Sequence, residues 1–174
     1  CVQLGPDSTG NSSGVPMKYF DEHTLPLPLL GGVVQAQRLN FSEAESLMRK
    51  SIEAQPRNAS YCLHYAKVLR ALRRNEEALE YYNQALTLAP ENLEAQHNRG
   101  TLLAELCRHQ DALVSYDLVL ASNPRDADAL HYRGISTAAL NRNQEALADF
   151  ARVLLIWPGH AEALSNCGGV LVAL

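Results

Sequence analysis

Histidine and cysteine are the side chains here best suited to bind a metal or to act as base and nucleophile, so their spacing comes first. His97 and His131 lie thirty-four residues apart. On packed neighbouring helices, whose axes run about 8–10 Å apart, two imidazoles reach toward a common ion. The residues at the same spacing on either side, Leu63 and Ser165, supply no third ligand, and protein zinc sites use three or four. Cys62 and His64 are two residues apart, which on a helix turns their side chains away from each other. No HExxH, GxSxG, Gly-rich phosphate loop or pair of CxxC motifs occurs. The expectation is a chain with no catalytic residues, no metal and no cofactor.

The elements that position these residues repeat. Pro56, Pro90, Pro124 and Pro158 recur at that same interval. The small residues Gly32, Ala66, Gly100, Gly134 and Gly168 share it, as do Ala44, Ala78, Ala112 and Ala146. A row of bulk follows at Met48, Tyr82, Tyr116 and Phe150, and another at Ile52, Leu86, Leu120 and Leu154. Each segment reads as two helices. Leu93 to Leu106 has helical apolar spacing, a turn falls at Arg108-His109, and a second helix runs from about Gln110 to Ser122. Pro124 then stops it, because proline lacks the N–H that continues a helix. Asn75 and Asn143 are expected to cap second helices, and Ser42 to Glu45 reads as a capping box. The small rows are expected to let the two backbones approach, with Gly100 facing Ala112 and Gly134 facing Ala146. Neither helix buries its apolar face alone, so the units must stack.

Composition agrees with a packed helical chain. Of 174 residues, 47% are hydrophobic and 20% are charged, with a net charge of −4. Fifteen Lys and Arg against nineteen Asp and Glu, with no basic run, argue against a nucleic-acid partner. No apolar tract approaches the roughly 18 residues of a membrane span. Cys62, Cys107 and Cys167 fall within helical patterns and are expected to be reduced thiols that pack as small apolar groups. Cys1, followed by a Ser/Gly-rich stretch to Gly14, leaves two readings open. One is a cytoplasmic protein. The other is a bacterial periplasmic lipoprotein anchored through Cys1. Residues 1–24 read as a flexible arm and 25–174 as the array. Its parts are a degenerate unit at 25–58, full units at 59–92, 93–126 and 127–160, and a half unit at 161–174.

The 34-residue period, with a small residue at position 8, Ala at 20, an aromatic at 24 and Pro at 32 of each unit, resembles the tetratricopeptide repeat. The resemblance covers 59–160 fully and 25–58 and 161–174 in part. It implies an all-α, right-handed solenoid of antiparallel helix pairs and a non-enzymatic protein-interaction module. The family's Trp at position 4 is replaced by Cys62, Gln96 and Leu130.

At roughly 100° per residue, positions 4, 7, 8 and 11 of a first helix face its partner, and positions 2, 5, 9 and 12 turn away, with 6 and 13 near their edge. By resemblance, the latter line a concave groove that takes extended peptides. The candidate groove residues are His64, Lys67, His97, Asn98, Thr101, His131, Tyr132 and Asn166, which offer hydrogen-bonding groups of the kind an extended backbone needs. Of the Lys, Asn and Arg that co-chaperones of this family use to clamp a terminal carboxylate, only Asn98 is in place. The Asn at positions 98 and 166 is similar instead to the repeat arms of O-linked N-acetylglucosamine transferases, which implies a second reading: a substrate-recruiting arm of a larger glycosyltransferase. A third reading is a lipid-anchored bacterial envelope assembly factor. The acids Glu94, Glu105, Asp128 and Glu162 against Lys67 and Arg70 predict a charge-asymmetric peptide, and the histidines predict binding that varies near neutral pH. Arg99 and Arg133 are expected to be structural, bridging adjacent units to acids such as Glu94 or Asp128, and Trp157 to be a packing residue. Leu164, Cys167, Leu171 and Leu174 are expected on one apolar side of the last helix, through which copies self-associate.

Overall fold

The computed structural model describes residues 41–172, all of its regular structure being helical. The predicted arm at 1–24 and the first part of the degenerate unit lie outside these residues. Eight helices follow one another: α1 Phe41–Ala54, α2 Ala59–Ala71, α3 Asn75–Leu88, α4 Leu93–Glu105, α5 His109–Ser122, α6 Ala127–Ala139, α7 Asn143–Ile156 and α8 Ala161–Val172. First helices thus start at 59, 93, 127 and 161, and second helices at 75, 109 and 143, both at the interval of the proline row. The chain divides into two compact units, residues 1–90 and 91–174.

In the first unit, α2 packs against α3 and α1 against α2. Met48, Ala66, Tyr82 and Ala78 are fully buried, so the bulk and small rows meet inside it. In the second unit each helix packs on its neighbours in sequence, α4 on α5, α5 on α6, α6 on α7 and α7 on α8. Its core gathers Val119, Leu120, Leu130, Ala146, Phe150, Val153, Ala163 and Val170.

The small row works differently from the expectation. A Cβ placed on Gly100 would lie 2.8 Å from Tyr116 Cε1, and one on Gly134 would lie 2.6 Å from Phe150 Cε1. The glycines therefore receive the aromatic ring sixteen residues on, and the nearest neighbours are not Ala112 and Ala146. The alanines are buried as well, at 0% exposure, but they do not set the closest approach.

Helix ends also differ. Asn75 and Asn143 are the first residues of α3 and α7, whose cap positions, Arg74 and Arg142, make no side-chain cap bond. The side-chain caps belong to the first helices. Asn58 accepts from the N–H of Ser60 and Tyr61, Asn92 from Ala95 and Asp126 from Ala129. An oxygen there satisfies donors that have no partner within the helix. Each of α2, α4 and α6 is followed by a left-handed residue that is not glycine: Arg73, Cys107 and Asn141, with φ of 62°, 59° and 59°. Two backbone bonds hold each turn. Arg74 N–H donates to Leu69 O and Arg73 N–H to Arg70 O, with equivalent pairs at Arg108 and Cys107 and at Arg142 and Asn141.

Cys62 and Cys167 carry free thiols, and burial pushes the Cys62 thiol up from its ordinary value. Cys107 lies past the end of α4 and is disulfide-bonded, not reduced and helical as its sequence pattern implies. Among the described residues no helix is long and apolar enough to cross a membrane.

Candidate functional site

Helix α4 presents His97, Asn98 and Thr101 within little more than one turn, and α6 presents His131 and Tyr132 one repeat later. The second unit draws these residues together through their rings. His97 meets Tyr132 edge-on at 5.8 Å and Tyr116 at 6.0 Å, while Tyr132 stacks on Tyr116 at 6.4 Å. His131 lies 5.3 Å from Tyr132 and 4.7 Å from His160, and His160 lies 5.0 Å from Trp157. The result is a continuous series of aromatic and imidazole rings from α5 to the start of α8. Such edge-to-face contacts hold each ring in a fixed orientation.

Polar capacity is more restricted than the sequence implies. Asn98 Nδ2 donates to Glu94 O at 2.9 Å, on its own helix, so part of its donor capacity is already used. Thr101 Oγ1 donates to His97 O at 3.0 Å and accepts from Tyr116 Oη at 3.4 Å. His131 is buried, at 3% exposure, not displayed on an open face. Its Nε2 sits 3.4 Å from Glu162 Oε2, and its Nδ1 is buried without a partner. Burial and then the His160 charge hold its pKa below the ordinary histidine value, against the opposing pull of Glu162 and Asp128. His131 is therefore a buried imidazole and not a side chain displayed in an open groove. Tyr132 and Phe150 fill the space beside it, and that is why it sinks.

In the first unit, His64 and Lys67 lie one turn apart on α2, His64 buried and Lys67 half-buried. Asn166 is half-buried on α8. Tyr116 and His160 join the ring series although the sequence does not single them out for it. Tyr116 belongs to the bulk row, where repetition signals packing and hides a second role. His160 follows the Pro-Gly pair beyond the end of α7, and its Nδ1 accepts the Ala163 N–H and so caps α8. Trp157 touches His160 but is 57% exposed, more open than a packing residue. The last helix packs through Ala163 and Val170, while Leu164 and Leu171 are exposed and Cys167 is partly buried against the core. Leu174 lies outside the described residues.

No group of three or more His, Cys, Asp or Glu side chains among the described residues is arranged to hold a metal ion. The two arginines of the small-row flank are structural in part. Arg133 pairs with Asp149 and Asp117, not with Asp128, and so joins α6 to the helices before and after it. Arg99 donates to Ser115 Oγ, not to Glu94.

Comparison with known proteins agrees with the helical repeat. A tetratricopeptide repeat model matches residues 30–93 and again 97–161. The human protein O-mannosyl-transferase TMTC1 is 41% identical over 58 residues, 33% of this chain and 7% of that protein, so the chain corresponds to a small fraction of it. Among solved structures, MamA from Desulfovibrio magneticus RS-1 superposes with a TM-score of 0.80 at 17% identity, covering 84% of this chain and 83% of that one. YrrB, described as a TPR protein with an unusual peptide-binding site, gives 0.76 at 24% identity over 84% and 75%. The first TPR of Spaghetti (RPAP3), bound to an HSP90 peptide, gives 0.64 at 24% identity over 66% and 91%. At these identities the structural likeness establishes the all-α repeat fold. With the repeat model matched over most of its length, this chain belongs to the tetratricopeptide repeat family.

Proposed function

We propose that the chain is a protein-interaction module that binds an extended polypeptide segment along the exposed faces of its first helices. The observation that carries this reading is the ring series of the second unit. It holds the partly exposed His97 and Tyr132 of α4 and α6 against each other, and Asn98 and Asn166 take the same place on α4 and α8, a spread of groups that suits an extended chain better than a compact small molecule. The exposed acids Glu94, Glu105, Asp128 and Glu162 favour a basic stretch in the segment bound there. Peptide-binding relatives of the same fold support the class of ligand. The test is a peptide-library screen on the parent chain and on an Asn98→Ala, Asn166→Ala double variant. Loss of two amide contacts is expected to weaken the hits about tenfold or more. Undiminished binding of every hit refutes the assignment.

A second reading is supported by the match to an O-mannosyl-transferase: the repeats recruit a polypeptide substrate to a glycosyltransferase. Fusion of the chain to a catalytic domain, with glycosylation of the selected peptides compared against scrambled ones, tests it. Self-association through Leu164 and Leu171 is read from their exposure and is checked by sedimentation at rising concentration.

A further inference from the structure

Arg99 and Arg133 stand one repeat apart, at the same place on α4 and α6. Their surroundings are not alike. Arg133 grips the buried Asp149 along one edge, Nε donating to Oδ2 at 2.8 Å and Nη2 to Oδ1 at 2.6 Å, while Nη1 donates to Asp117 Oδ1 at 2.7 Å. Those acids raise its pKa despite burial. One repeat before Asp149 stands Ser115, which is uncharged.

Arg99 accordingly has a poorer set of partners. Its Nη1 donates to Ser115 Oγ at 3.1 Å, and its Nε is buried with no acceptor. Among the described residues no carboxylate lies within 4.0 Å of the guanidinium. Burial lowers its pKa, and the charge of Asp111 offsets this only in part. Taking a cation partly out of water without a counter-charge is costly, and an incoming anion relieves that cost. The side chain is only partly buried, so a partner group can approach it.

We propose that Arg99 is a docking point for an aspartate or glutamate side chain of a partner protein, which supplies the counter-charge that Asp149 gives Arg133. The planar fork suits a carboxylate, and the twin arginine already holds two of them. The site lies beside α5, where Arg99 meets Ser115.

The probe is a capped hexaglutamate peptide titrated at low salt into the full chain labelled with 15N-arginine. The Arg99 Nε–H resonance is expected to move while that of Arg133 stays. Ser115→Asp builds the missing acid into the chain, as Asp149 does beside Arg133. That variant and Arg99→Gln are each expected to weaken the peptide by about tenfold. The exposed Arg125→Gln serves as the control for unspecific attraction and is expected to bind as the parent does. Should Ser115→Asp fail to fold by circular dichroism, Arg99→Gln decides the matter alone. Unchanged affinity in the folded variants, an equal response of Arg133, or a response of Arg99 to inorganic phosphate but not to hexaglutamate overturns the proposal.

Discussion

Replacing one glycine by alanine at two equivalent places should give opposite results. At Gly134 the new methyl would sit 2.6 Å from Phe150 Cε1 and 3.0 Å from Cδ1 and Cζ. Carbon atoms pack best at about 3.5–4 Å, and Phe150 is fully buried, so its ring has no free space to swing into. Overpacking of this kind costs about 1–3 kcal/mol. Alanine returns about 1 kcal/mol of helix propensity. The net expectation for Gly134→Ala is a loss of about 1 kcal/mol. At Gly168 nothing lies within 4 Å of the new methyl, so only the propensity gain remains. Gly168→Ala should therefore stabilise by about 1 kcal/mol. The two variants differ by about 2 kcal/mol, or roughly 4–8 °C in Tm for a chain of this size. Thermal and urea unfolding read the difference directly. Adding Phe150→Leu should couple favourably with Gly134→Ala, because the smaller side chain vacates the contact. If Gly134→Ala stabilises as much as Gly168→Ala, or if the double change is merely additive, the ring does not rest on the glycine.

Three further outcomes follow from the contacts described. Arg133→Leu leaves the buried Asp149 only the long contact to Arg152 at 3.9 Å and should cost about 3 kcal/mol in denaturant unfolding, whereas Arg99→Leu strands no acid and should cost much less. His131 has a folded pKa below its unfolded one, so the unfolded chain binds the extra proton first. Stability contributed by this residue should thus be present above the ordinary histidine range and fall as pH drops through it, and melts of His131→Gln between about pH 7.5 and 5 should show a shallower decline. Asn92→Ala should cost about 1 kcal/mol because it removes the α4 cap, while Asn75→Ala, which removes no cap, should leave Tm nearly unchanged.

The period is legible because prolines, small residues and rings repeat in register, and a helix boundary needs only local chemistry. Contacts sixteen residues apart are not. The reach of Arg133 to Asp117 and Asp149 depends on how three helices cross, which spacing along one helix does not contain. Burial of His131 is hidden for the same reason. Its position marks an outward face, yet Tyr132, Phe150 and His160 close around it. Sequence misplaces the caps because Asn stands near the start of both kinds of helix, and only the extended backbone at Asn58, Asn92 and Asp126 lets the side chain turn back. The left-handed turn residues carry little signal, since glycine is absent from all three and only Asn141 is of a type that favours that region.

Arg73, Cys107 and Asn141 share one backbone shape and no chemistry. A left-handed conformation costs an ordinary residue about 1–2 kcal/mol, and the paired turn bonds outweigh that cost whichever side chain is attached. The backbone of the hairpin tip therefore places almost no demand on residue identity, although the disulfide of Cys107 does. A cation, a disulfide-bonded cysteine and an amide have each been accommodated there while the helices on either side kept their register. Sequence drift, a fluorescent label or a cross-link can enter at this place in every unit without passing through the core, so the tip is where such an array acquires new surface chemistry at the least structural risk.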